Sequence, residues 1–154
     1  MSMTHPQHNP ESRNQDATND QRQIVKALHD SFRWAFTRDR ALFESVFAKD
    51  EDFFTYYPEA KSTVRGWSEF EKFLDSWMDP RNKATGYEIR NLRIVISRTG
   101  DVAWFSAIVD DEGEFDGKPW GTKDIRWTGV LEKRGRVWKI CQQHMSQAND
   151  KSLE

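Results

Sequence analysis

The sequence predicts an α+β fold class, with three N-terminal helices packed in a curved antiparallel or mixed β-sheet. Three observations predict it. Apolar residues recur at helical spacing over residues 24–47 and again over 67–78. From Tyr87 onward the spacing changes to two. The strand-like runs then follow one another as a meander, with short turns between them.

The first helix carries Ile24, Val25, Leu28, Phe32, Ala35 and Phe36, and Thr18 followed by Gln21 has the spacing of a capping box at its start. Thr37 or Asp39 caps a second, shorter helix bearing Leu42, Phe43, Val46 and Phe47. The run "KDED" ends it, and "FFTYYP" reads as a short strand stopped by Pro58. A third helix over 67–78 has the stripe Trp67, Phe70, Phe73, Leu74, Trp77 and Met78, ended by "DP". Four strands remain: "YEIRNLRIVIS", "VAWFSAIVDD", "TKDIRWTGVLEK" and "RVWKICQQHMS". Their connections are "RTGD", a hairpin end at Asp116-Gly117, and a tight Arg134-Gly135 turn.

The chain of 154 residues fits one domain long enough to bury a core. We expect a disordered arm over 1–18, a folded unit over 19–147 and a polar tail over 148–154. His5 and His8 in the arm read as part of a solvated tail rather than a metal site. Seven Trp and ten Phe supply contact area despite a hydrophobic content of 36%. A net charge of −2, with both signs interspersed, gives no footprint for nucleic acid or an anionic membrane. The single cysteine excludes an intrachain disulfide and a cysteine-cluster metal site. No signal peptide or membrane span is legible, so a cytoplasmic protein is expected. Without a phosphate loop, dinucleotide fingerprint or His-Glu-x-x-His motif, neither a cofactor nor a metal is expected.

A period of two puts Trp138, Ile140, Gln142, His144 and Ser146 on one strand face, apolar at first and then polar. In the preceding strand Arg126, Thr128 and Val130 share a face, and Trp127, Gly129 and Leu131 take the other.

The order of elements resembles the cone-shaped nuclear transport factor 2-like fold, and in particular its SnoaL-like branch. The matching runs are "STVRGWSEFEKFL", "GDVAWFS" and "IRWTGVLEKRGRVWKICQQHMS", together spanning about residues 20–147. The resemblance implies a pocket between the concave sheet face and the helices. It places Arg126 inward, and Gln142, His144 and Ser146 at the cavity, with Trp138 and Ile140 in the core.

Candidate site residues follow. His144 is the acid–base candidate near neutral pH, and Asp110 is the candidate base. One of Tyr56 and Tyr57 points into the cone, where a phenol can hydrogen-bond a carbonyl. Arg126 binds either a ligand oxygen or a resident carboxylate such as Asp110. Thr128 shares the Arg126 face, and Ser146 orients a hydrogen bond. Trp34, Trp67, Trp77 and Trp104 singly read as core, and together they predict flat apolar walls for a small hydrophobic or ring-bearing molecule.

The opposite face would carry Trp127, Leu131, Cys141 and Met145, too apolar to meet water, which predicts a homodimer through the outer sheet face. Two functions stay open: a small-molecule binder with possible isomerase, cyclase or dehydratase-type chemistry, and an assembly module resembling the calcium/calmodulin-dependent kinase association domain.

Overall fold

The structure, a computed structural model, describes residues 10–149. Three helices, α1 (Pro10–Thr37), α2 (Arg40–Val46) and α3 (Trp67–Trp77), pack on a six-stranded sheet. The strands are β1 (Phe54–Tyr56), β2 (Thr63–Arg65), β3 (Asn82–Ile96), β4 (Val102–Phe115), β5 (Lys118–Arg134) and β6 (Val137–Ser146). They run in the order β2-β1-β6-β5-β4-β3, antiparallel except that β1 pairs parallel to β6. None of the described helices is long and apolar enough to cross a membrane.

Helix α1 starts at Pro10, so residues 10–18, expected in a disordered arm, are helical. Proline suits a first helical position because the N–H it lacks would have no intrahelical partner there. Once Ile24 and Leu28 anchor the helix in the core, extending it through polar residues costs little. Thr18 lies inside the helix, its hydroxyl donating to the Asn14 carbonyl at 2.9 Å, and it caps nothing. Residues 1–9, with His5 and His8, and 150–154 lie outside the described residues.

Asp39 caps α2 by accepting from the Leu42 N–H at 3.0 Å. Before α3, Gly66 has φ +81°, and a Cβ there would fall 2.6 Å from Glu51 Oε2, so the entry to α3 requires glycine. Strand β2 and the short 3₁₀ turn Ala60–Ser62 are additional to the sequence expectation, and β3 begins at Asn82, five residues ahead of Tyr87. The Asp116-Gly117 hairpin has positive φ at both residues, as a tight two-residue turn demands.

Bulges decide which side chains face the helices. In β6, Ile140 pairs with Leu131 but Gln142 pairs with Val130, so Cys141 is an extra residue. Ahead of it Trp138 and Ile140 are buried, and beyond it Gln143 and Met145 are buried instead. The inward set thus shifts from even to odd numbers, because one inserted residue turns every later side chain over. Across the ladder, Trp127, Gly129 and Leu131 are inward on β5. Trp127 and Leu131 are fully buried. A second bulge, at Lys123-Asp124 with Asp124 at φ +56°, keeps Thr122 opposite Asp111.

Candidate functional site

The concave face of the sheet, helix α1 and the segment after β1 enclose a cavity of about 640 Å³. Its walls are mainly rings. Among the described residues, eight aromatic side chains line it, from α1, α2, α3, the segment after β1, and the β4–β5 hairpin end. Trp34 packs edge-on against Phe43 at 5.0 Å and lies 6.1 Å from Trp77, while Tyr57 meets Trp77 edge-on at 5.8 Å. Trp120 lies across the backbone of Gly113, where a Cβ would come within 2.2 Å of the indole. Its Nε1–H donates to Asn82 Oδ1 at 3.2 Å, holding the ring at the cavity wall.

Among the polar lining residues are Asp111 on β4, Tyr57 after β1 and Gln143 on β6, with Tyr57 near both of the others. The indole N–H of Trp127 donates to Gln143 Oε1 at 2.9 Å in a buried bond. An indole only donates, so the amide oxygen is fixed toward Trp127 and the NH₂ end is free to meet the Tyr57 hydroxyl. Burial pushes the Tyr57 phenol well above its ordinary value. The nearby Thr55 and Gln143 side chains oppose the rise, and the Asp111 charge adds to it. Tyr57 therefore stays a neutral donor. The Thr55 hydroxyl, fully buried beside it, has no hydrogen bond of good geometry. Asp111 is pushed up to about 6, first by loss of water and then by the adjacent Glu112 charge, with the Glu112 backbone N–H pulling the other way. A carboxyl titrating there can exchange a proton near neutral pH, beside two donors able to hold an oxygen.

The sequence profile of the SnoaL-like domain matches residues 24–150. The chain belongs to the SnoaL-like domain family. Among solved structures it is similar to a nuclear transport factor 2 (NTF2-like) superfamily protein from Salmonella enterica, with TM-score 0.74 and 18% identity over 88% of this chain and 96% of that one. It is similar also to a protein provisionally named a scytalone dehydratase from Novosphingobium aromaticivorans, with TM-score 0.71 and 12% identity over 92% and 93% of the two chains. A provisionally named calcium/calmodulin-dependent kinase II association domain from Exiguobacterium sibiricum gives 0.67 and 13% over 84% and 93%. Likeness at these identities shows the fold alone: three helices on a six-stranded mixed sheet, the NTF2-like cone. No curated protein matches the chain at a significant level.

Within this SnoaL-like domain the sequence-predicted residues separate. Trp34, Trp77 and Tyr57 line the cavity. Trp67 is buried instead between Phe43 and Phe70, in the core. The remaining candidates lie on the outer face. Arg126 is exposed and donates to the Gln147 carbonyl at 3.2 Å. Thr128 is cross-strand from His144, and His144 is exposed with its ring 5.6 Å from outward-facing Tyr56. Gln142 and Ser146 share that face, and Trp104 is 48% exposed on it.

Two physical reasons account for these corrections. The Cys141 bulge turns Gln142, His144 and Ser146 outward. Burying the Trp127 indole on a satisfied amide also costs far less than burying an Arg126 guanidinium. The same inversion removes Trp127, Leu131 and Met145 from the outer face, where they were expected as dimer contacts. Asp110 is outward as well. It takes two hydrogen bonds from Arg90, at 2.6 and 3.1 Å, and one from the Asp124 N–H at 2.9 Å, which hold its carboxyl below the usual range.

Among the polar cavity groups that sequence reasoning missed are Asp111 and Gln143. A signal for Asp111 existed: Ala103, Phe105, Ala107 and Val109 are small or apolar at alternate positions, all buried, and Asp111 continues that row. Gln143 had none, because its face depends on the bulge.

Proposed function

We propose that this SnoaL-like domain binds a small, ring-bearing apolar molecule in the cone cavity. Its polar end would be held by Asp111, Tyr57 and Gln143, with Asp111 exchanging a proton with it. What supports the reading is one juxtaposition: a carboxyl raised to about 6 inside a cavity of about 640 Å³ walled by aromatic rings. His144, Asp110 and Arg126 have no part in it. A cytoplasmic setting suits the single thiol.

The protein works as a homodimer through the outer sheet face. Trp104, Val130, Gln142 and Phe54 are cross-strand neighbours there, and two of them, Trp104 and Phe54, are large apolar side chains 48% and 37% exposed. An assembly role, as in the association-domain name of one structural relative, needs only this face and no cavity ligand.

Native mass spectrometry of freshly purified protein, beside Asp111→Asn, separates the two. The expected spectrum shows a dimer with an adduct of a few hundred daltons that is lost or weakened in the variant. A dimer without adduct at any protein concentration supports assembly instead, and a monomer refutes the dimer.

A further inference from the structure

The charge of the cavity is one-sided. Among its described lining residues the charged ones are Asp111 and Glu59, and none is Lys, Arg or His. Glu59 has a cation of its own, Lys61 at 3.4 Å, and Arg38 Nη2 donates to the carbonyls of Pro80 and Asn82, at 2.7 and 2.9 Å. No ion pair among the described residues involves Asp111, although its neighbour Asp110 has Arg90 and Glu112 has Lys123 at 3.2 Å. An ionised carboxylate taken out of water without a counter-charge is costly, and native sites normally supply a partner. The cavity walls are largely aromatic, and ring faces, the negative part of each ring's quadrupole, attract cations and repel anions.

We propose that the ligand of this cavity is an apolar organic amine, bound as its ammonium with an N–H donated to Asp111 and its hydrocarbon frame against Trp34, Trp77 and Trp120. The inference rests on the reading of the cavity as a small-molecule site and names the class of molecule. A carboxylate or phosphate ligand would find no cation among the described lining residues, and Arg126 points away from the cavity. A neutral ligand would leave the Asp111 charge unpaired. With an ammonium bound, the proton shared between carboxylate and nitrogen leaves net charge balanced, and Tyr57 and Gln143 remain available to an oxygen on the same molecule. The groups facing Asp111 are Tyr57, Gln143 beyond it, Thr122 across on β5, and Tyr87 across on β3, whose hydroxyl is 2.8 Å from His29 Nδ1. Glu112 is adjacent on the opposite face.

Isothermal titration calorimetry with naphthylmethylamine, naphthylmethanol and naphthoate tests this on one apolar frame. At about pH 8 the ammonium should bind at least about tenfold more tightly than the alcohol, and the carboxylate most weakly. In Asp111→Asn the amine and the alcohol should bind alike. In the unaltered protein the amine's advantage should shrink between about pH 8 and about pH 5 as Asp111 takes up its proton, which checks the idea without any variant. Alcohol or carboxylate binding as tight as the amine overturns the amine class while leaving the cavity reading intact, as does an advantage that survives in Asp111→Asn. Absence of binding by all three overturns both.

Discussion

Asp110 and Asp111 are consecutive in β4, and the two faces of the sheet treat them oppositely. Outward, Asp110 meets the Arg90 guanidinium and the Asp124 backbone N–H, and its carboxyl is held below the usual range. Inward, Asp111 lines the aromatic-walled cavity near Tyr57 and takes a hydrogen bond from the Glu112 N–H, and its carboxyl rises to about 6. The outer face neutralises charge by pairing in water, where such pairs contribute little. The inner face leaves one acid unpaired in an apolar space, which is where a titratable group gains chemical use. The lesson is that one residue's difference in register, and not residue type, separates a surface ion pair from a candidate site.

The largest expected effect breaks the inner face itself. Trp127→Ala removes a fully buried indole and strands the Gln143 oxygen. It should cost about 3–5 kcal/mol in chemical denaturation. A cost under about 1 kcal/mol would mean that the Trp127–Gln143 bond does not organise the cavity wall.

Asp111→Asn comes next, and its sign depends on pH. The carboxyl is raised from an ordinary 3.8 to about 6 on folding, so the folded state holds the proton more tightly. That contribution to stability is full below about pH 4, is lost as pH rises through about 6, and is constant above. At about 1.4 kcal/mol per pKa unit, the variant should gain about 3 kcal/mol at neutral pH and nothing measurable in acid. Urea denaturation at the two pH values checks it. A neutral-pH loss would mean that the carboxylate is well satisfied in the folded chain.

The smallest effects belong to the outer face. Arg126→Ala and His144→Ala remove exposed groups whose partners are the Gln147 carbonyl and the Tyr56 ring. Each should leave binding of the amine probe within about twofold and shift the melting temperature little. A tenfold loss of probe binding in either variant would return those residues to the site.

Much of the fold was legible because periodicity is local. Helical spacing located α2 and α3, and alternation located the four long strands. The start of α1 was not legible, since the sequence over 10–18 carries no apolar stripe and its helicity is inherited from Ile24 onward. Strand β2, three residues long, exists by pairing with β1 and carries no pattern of its own. The site was harder to read. Trp34, Trp77 and Tyr57 follow from composition and position, but the polar face of β6 follows from Cys141, and nothing in "KICQQHMS" marks which residue is extra. Inserted there, it exchanged His144 for Met145 and Gln142 for Gln143 at the cavity.

The most direct test follows the two carboxyls together. Side-chain carboxyl NMR shifts of Asp110 and Asp111, assigned through Asp→Asn variants, should titrate apart. Asp111 should titrate at about 6 and Asp110 below the ordinary carboxylate range, with only the Asp111 curve moving when naphthylmethylamine is added. Two curves that coincide in the ordinary range, or a probe that moves Asp110 instead, would contradict the assignment of the inner face as the functional one.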